Sequence, residues 1–153
     1  MAKTGLEPMH RCLKFGIALL LLMAPDHAAA GFKDTFSQWQ AMDRYSQYSY
    51  VMGMYDSKAN NGATGEETWV TARRAGLAEC AQKLGLNPDM ISDAITRHYQ
   101  TYQRDWGLPV AVVYSQVMLE VCIDSINRRR TEANLPAWTA HGGSIMESME
   151  RRK

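Results

Sequence analysis

The first thirty residues constrain this 153-residue chain more than any other stretch, because they resemble a cleavable export signal and so set where the rest must fold. Lys3, Arg11 and Lys14 flank an uncharged run, Phe15 to Ala24, and Ala28, Ala29 and Ala30 supply small residues for cleavage near Ala30. The apolar run is shorter than the ~20 residues of a bilayer-spanning helix, and no later segment is expected to come close. The reading is therefore a soluble exported product with no integral membrane segment after processing. Cys12 precedes the apolar run, whereas a lipoprotein cysteine would follow it.

Export changes the meaning of the cysteines. Only Cys80 and Cys122 remain beyond the leader, an even pair in an oxidising compartment, which predicts one disulfide. Two unbridged core thiols are the alternative. Setting aside Lys3, Arg11, Lys14, Glu7 and Asp26 leaves 14 basic and 14 acidic residues in the remaining 123, enough chain for one small domain. That balance argues against nucleic acid as a partner, which would need a basic face. The basic runs Arg128-Arg129-Arg130 and Arg151-Arg152-Lys153 read as solvated helix ends, where cations complement the helix dipole.

No Val/Ile/Thr-rich alternation with hairpin turns appears, while apolar residues recur every three or four positions. The fold class is therefore all-α, a small bundle of about four to five helices over residues 31–130. A first helix is expected from Asp34 to Tyr55, with Phe36, Trp39, Tyr48, Met52 and Tyr55 at helical spacing, followed by a polar, flexible loop from Asp56 to Gly65. A second spans Glu66 to Leu84, carrying Trp69, Ala72, Leu77 and Cys80, with Gly76 as a weak point and Gly85 as terminator.

Asn87-Pro88-Asp89 is a strong start for a third helix, with Ile91, Ala94, Ile95, His98 or Tyr99, and Tyr102 inward, running to about Trp106-Gly107. Pro109 opens a fourth over Val110 to Ile126, the central core candidate, with Val113, Val117 and Val121 on one stripe and Met118, Cys122 and Ile126 on a second. Residues 131–153 read as a mobile extension with a short terminal helix after Ser144.

Catalytic signals are weak. His98 and His141 have no spaced metal-binding partners, and no phosphate loop, GxSxG elbow or paired-His motif occurs, so neither catalytic residue, metal nor cofactor is expected. Glu66 and Glu67 are explained by a helix start. More suggestive are Trp39, Met42, Tyr45, Tyr48, Tyr50, Met52, Met54 and Tyr55, too many large groups for one narrow core. Some should reach a protein interface or simply wrap a small bundle.

The segment Tyr50 to Ser57 (YVMGMYDS), with Gly53 among apolar neighbours, resembles one in Rap/Tai-type immunity proteins of type VI secretion amidase toxins. Cys80, a turn at Asn87, an amphipathic helix to Tyr99 and Tyr102, a Leu108-Pro109 step, an apolar helix and Cys122 are similar to that family's order and spacing. The resemblance covers about Tyr48 to Cys122. It implies a periplasmic, noncatalytic helical protein that binds a cell-wall amidase effector and blocks its cleft, often as a homodimer. A block of this kind needs a prepositioned protruding element. The loop after the first helix, with Tyr55, Asp56, Ser57, Lys58, Asn60 and Asn61, is the partner-binding candidate, for its position beside the matched segment and its polarity. A helical envelope chaperone, or a component of a secretion or conjugation assembly, is the alternative function.

Overall fold

The computed structural model of the protein describes residues 35–60 and 62–152. The leader, Asp34, Asn61 and Lys153 therefore lie outside the described residues. Among the described residues, six α-helices and one disulfide make an all-α bundle: α1 (Phe36–Gln40), α2 (Arg44–Tyr55), α3 (Thr68–Leu84), α4 (Pro88–Thr101), α5 (Val110–Glu132) and α6 (Ile145–Glu150). Short turns of π-helix (Asp56–Asn60) and 3-10 helix (Gln103–Asp105) join them.

The single first helix expected from Asp34 to Tyr55 is broken in two. Asp43 is the cause: its Oδ1 accepts the Ser46 backbone N–H at 2.8 Å and its Oδ2 the Ser46 hydroxyl at 2.9 Å, an N-cap that restarts the helix. These bonds, led by the Ser46 amide, hold the Asp43 carboxyl below its usual range. The loop expected from Asp56 to Gly65 is corrected over Asp56–Asn60, which continues α2 as one wider turn, while residues 62–67 carry no helix. The start of α4 and the end of α3 act as read, whereas α3 begins at Thr68 rather than Glu66, α4 ends at Thr101 rather than near Trp106-Gly107, and α5 runs on to Glu132 rather than Ile126. Asn87 Oδ1 caps α4 through the Met90 N–H at 2.9 Å, and Gly85 closes α3 in the left-handed conformation at φ 60°.

Helices α3 and α5 form the principal packing. Cys80 and Cys122 are bonded with their Cα atoms 5.4 Å apart, and one turn away Gly76 presses against the Ile126 backbone. The glycine that weakens α3 locally is what lets the helices approach. On α5 the residues Val113, Tyr114, Val117, Met118, Cys122 and Ile126 are buried, but Val121 is 47 % exposed, which corrects the first stripe. Helix α5 has 23 residues and a mean hydropathy of 1.3 in its most apolar window, long and apolar enough by composition to cross a bilayer. The expectation that nothing after the leader comes close is therefore corrected, and here the helix lies at the centre of the bundle.

Trp39 is fully buried, donating from Nε1 to Thr96 Oγ1 at 2.9 Å, while Tyr99 donates to the Leu108 carbonyl at 2.7 Å and stacks on Phe36. Beyond α5 the chain folds back. Asn127 exchanges two hydrogen bonds with the Trp138 backbone at 2.7 and 2.8 Å. Arg130 donates to the Pro136 carbonyl at 2.8 Å and lies over the Trp138 ring. Arg130 is 4 % exposed, so the Arg128–Arg130 triplet is not simply a solvated helix end. Arg128 and Arg129 both pair with Glu79 of α3.

Candidate functional site

The aromatic-rich segment too crowded for one core spans α1, the link after it and α2, and the bundle turns most of these groups inward. Trp39 is buried, and Met42, Tyr50, Met54 and Tyr55 pack against the core. Tyr45 at 79 % and Met52 at 41 % are the large apolar groups of this segment left outside.

The turn that follows α2 carries the candidate binding residues. Ala59 is its buried anchor, and Arg74 of α3 fastens it by donating from Nη1 to the Ser57 carbonyl at 3.1 Å. Arg74 is itself fixed by Glu66, which accepts at 2.6 Å. The Glu66 carboxyl is held below its usual range, chiefly by that guanidinium. Within the turn Asn60 donates to Asp56 Oδ1 at 2.8 Å and Ser57 Oγ to the Met54 carbonyl at 2.9 Å. Asp56, Ser57, Lys58 and Asn60 are thus displayed to solvent from a held backbone. Tyr55 is half-buried, and burial, with Asp56 adding to it, raises its phenol pKa. Of the six residues read from sequence, five are brought together here, and Asn61 is outside the described residues.

Met52, Tyr55 and Asp56 form one wall of a cleft of about 440 Å³, with Gln82, Leu86 and Ile91 opposite. Its chemistry is that of recognition. An exposed acid at the rim can accept charge-assisted hydrogen bonds while Met52 and Leu86 offer adaptable apolar contact.

A buried polar cluster that the sequence reading did not find joins α4 to α6. Asp105 Oδ2 accepts from His98 Nε2 at 2.8 Å and from the Ile145 N–H at 2.9 Å, and Oδ1 accepts from Ser144 Oγ at 2.8 Å and the Met146 N–H at 3.1 Å. Burial pushes the Asp105 carboxyl upward, but the four donors outweigh it and hold the group below its usual value. A hydroxyl activated for nucleophilic attack needs an imidazole between it and the carboxylate. Here the carboxylate sits between, so the trio fastens the start of α6. No group of three or more His, Cys, Asp or Glu side chains close enough to hold a metal occurs among the described residues.

Comparison of the chain with protein-family models, characterised proteins and solved structures finds no match.

Proposed function

We propose that this protein is a periplasmic, noncatalytic immunity protein that binds a peptidoglycan amidase toxin of a type VI secretion system and occludes its cleft. The observation that carries the reading is the held turn Asp56–Asn60, which displays four polar side chains from a backbone anchored by Ala59 and Arg74. A prepositioned turn loses little freedom on docking, which is what a tight plug of a concave site requires. The Cys80–Cys122 bridge and the order of helices around it agree with the resemblance in the second half of the chain.

The test is protection. The full chain is co-expressed with a panel of type VI peptidoglycan amidase toxins directed to the periplasm, and lysis is followed. Protection by the intact chain, lost when Phe15–Ala24 is removed, is the expected result. No protection by a correctly exported chain would overturn the proposal. Because Ala59 is a buried anchor, deleting the turn would confound binding with folding. The sharper variants are Asp56→Lys and Lys58→Glu, which invert exposed charges and should weaken toxin binding at unchanged stability. One observation favours the second reading, a helical envelope chaperone: Leu84, Met90 and Val121 are 51 %, 47 % and 47 % exposed and line a common apolar groove. Suppression of client aggregation in acid, lost in Val121→Asp, would support that role instead.

A further inference from the structure

Arg73 is the one arginine of α3 whose surroundings do not account for it. Its neighbour Arg74 has Glu66 and the Ser57 carbonyl as partners, whereas Arg73 makes no hydrogen bond or ion pair among the described residues. The side chain is half-buried, and burial lowers the pKa of its guanidinium. Among the described residues, the charged or ionisable groups that act on it are the Tyr114 phenol and the like charge of Arg74, with no carboxylate among them. The Tyr114 hydroxyl is itself buried with no hydrogen-bond partner among the described residues. A guanidinium withdrawn from water without an anion is costly, so the site is left short of a negative charge.

Arg73 opens onto a cleft of about 610 Å³, a volume usual for small-molecule sites. Lys58 stands in the same wall and brings a second cation. The rest is largely apolar, with Val112, Leu119, Trp138 and Ile145 as the main contributors. A second cleft of about 540 Å³ borders this trough, sharing Gln116, Leu119, Trp138 and Ile145 and adding Met149 and Arg152. Its polar groups are largely engaged. Ser115 donates to the Ala111 carbonyl, and the Gln116 amide to Glu120 and the His141 carbonyl. A peptide laid here would leave backbone amides without partners, whereas an alkyl chain has none to satisfy.

We infer that this trough is a binding site for a single-chain amphipathic anion, its head held by Arg73 and Lys58 and its alkyl tail lying over Leu119, Trp138 and Ile145. A carboxylate and a phosphate head share the required chemistry, since a guanidinium can receive either through paired N–H donors. The site shares Lys58 with the proposed toxin-binding turn, so its test rests on Arg73, which lies outside that turn.

Isothermal titration of the purified, disulfide-intact protein tests it, using dodecanoate and dodecyl phosphate below their micelle concentrations. Saturable binding of one molecule of either probe is expected, and the tighter of the two identifies the head. Acetate and inorganic phosphate lack the tail and should not saturate. Dodecyl maltoside lacks the charge and should not saturate either. Arg73→Gln should weaken binding roughly tenfold or more, the worth of a charge-assisted contact. Arg73→Lys should recover part of the loss, and Lys83→Gln, outside the trough, should change nothing. Absence of saturable binding by both anionic probes, equal binding by the maltoside, or full affinity in a folded Arg73→Gln variant would overturn the inference.

Discussion

Replacing Gly76 with alanine sets two well-calibrated effects against each other at the main helix contact. In an open helix the substitution would stabilise by about 1 kcal/mol, because alanine restricts the unfolded chain and favours helix. At this position, however, a Cβ would lie 2.5 Å from Ile126 Cα, 2.9 Å from its N and 3.0 Å from its Cγ1. Ordinary contact begins near 3.4 Å, so α5 would have to retreat by close to an ångström. Two of the three obstructing atoms are backbone, which no rotamer change can clear. The Cys80–Cys122 bond one turn away opposes the retreat, so the strain should fall high in the ~1–3 kcal/mol range of overpacked cores. Net destabilisation of about 1–2 kcal/mol follows, a fall in Tm of roughly 2–8 °C for a domain of this size. Gly53 is the matched control. It lies in α2 with nothing within 4 Å of its would-be Cβ, so Gly53→Ala should raise Tm by roughly 2–4 °C. Thermal unfolding followed by far-UV circular dichroism, with the disulfide intact, reads both variants. Opposite signs are required, and a Gly76→Ala protein as stable as wild type would refute the close-contact reasoning.

The bridge should also be visible in stability. Cys80→Ser with Cys122→Ser removes a crosslink between residues 42 apart in sequence, and the chain-entropy model assigns it about 4 kcal/mol, measurable as a lowered urea midpoint. Asp105→Asn should lose roughly 2–4 kcal/mol by removing the charge from a fully buried acceptor of four hydrogen bonds. Since the folded carboxyl is held below its unfolded value, its contribution is present above pH ~3.9 and is lost as pH falls through the folded value. Urea titrations from pH 6 to pH 2 should therefore show a flatter acid limb in the variant than in wild type. Arg130→Met should release the chain after Glu132 by removing the Trp138 cation–π contact and the Pro136 bond, about 1–2 kcal/mol together. Limited proteolysis should then cut sooner between residues 133 and 143, and unchanged cleavage would argue against that clasp.

The bundle was readable from local signals because most of its boundaries are set by single residues. Asn87 and Pro88 start α4, Gly85 ends α3 and Pro109 precedes α5, each acting through its own backbone or side chain. The break at Asp43 used equally local chemistry, yet the aromatic periodicity on either side outweighed one aspartate in the reading. The turn at Asp56–Asn60 was misread for a different reason. Its Asn and Ser composition resembles a loop, but Ala59 and the carbonyl of Ser57 are gripped by α3, and that grip comes from Arg74, 17 residues beyond Ser57. Tertiary contact overrode local propensity there.

Periodicity identifies the face on which a residue lies, but it does not identify what meets that face. Arg73 illustrates this limit most clearly. It stands four residues before the buried Leu77, so the helical register already set an arginine on the side of α3 that carries this core residue. What the register could not supply was the absence of a counter-charge, which depends on Tyr114, Trp138 and Ile145 arriving from α5 and beyond. The Asp105 cluster has the same character, because Ser144 lies 39 residues away and its amide neighbours have no side-chain signature. Long-range polar pairing is therefore where sequence runs out in this chain. It is also where an unmatched charge becomes informative: a half-buried position that keeps an arginine with no anion beside it among the described residues, when methionine or leucine could fill the same volume, is the observation behind the proposed anion site.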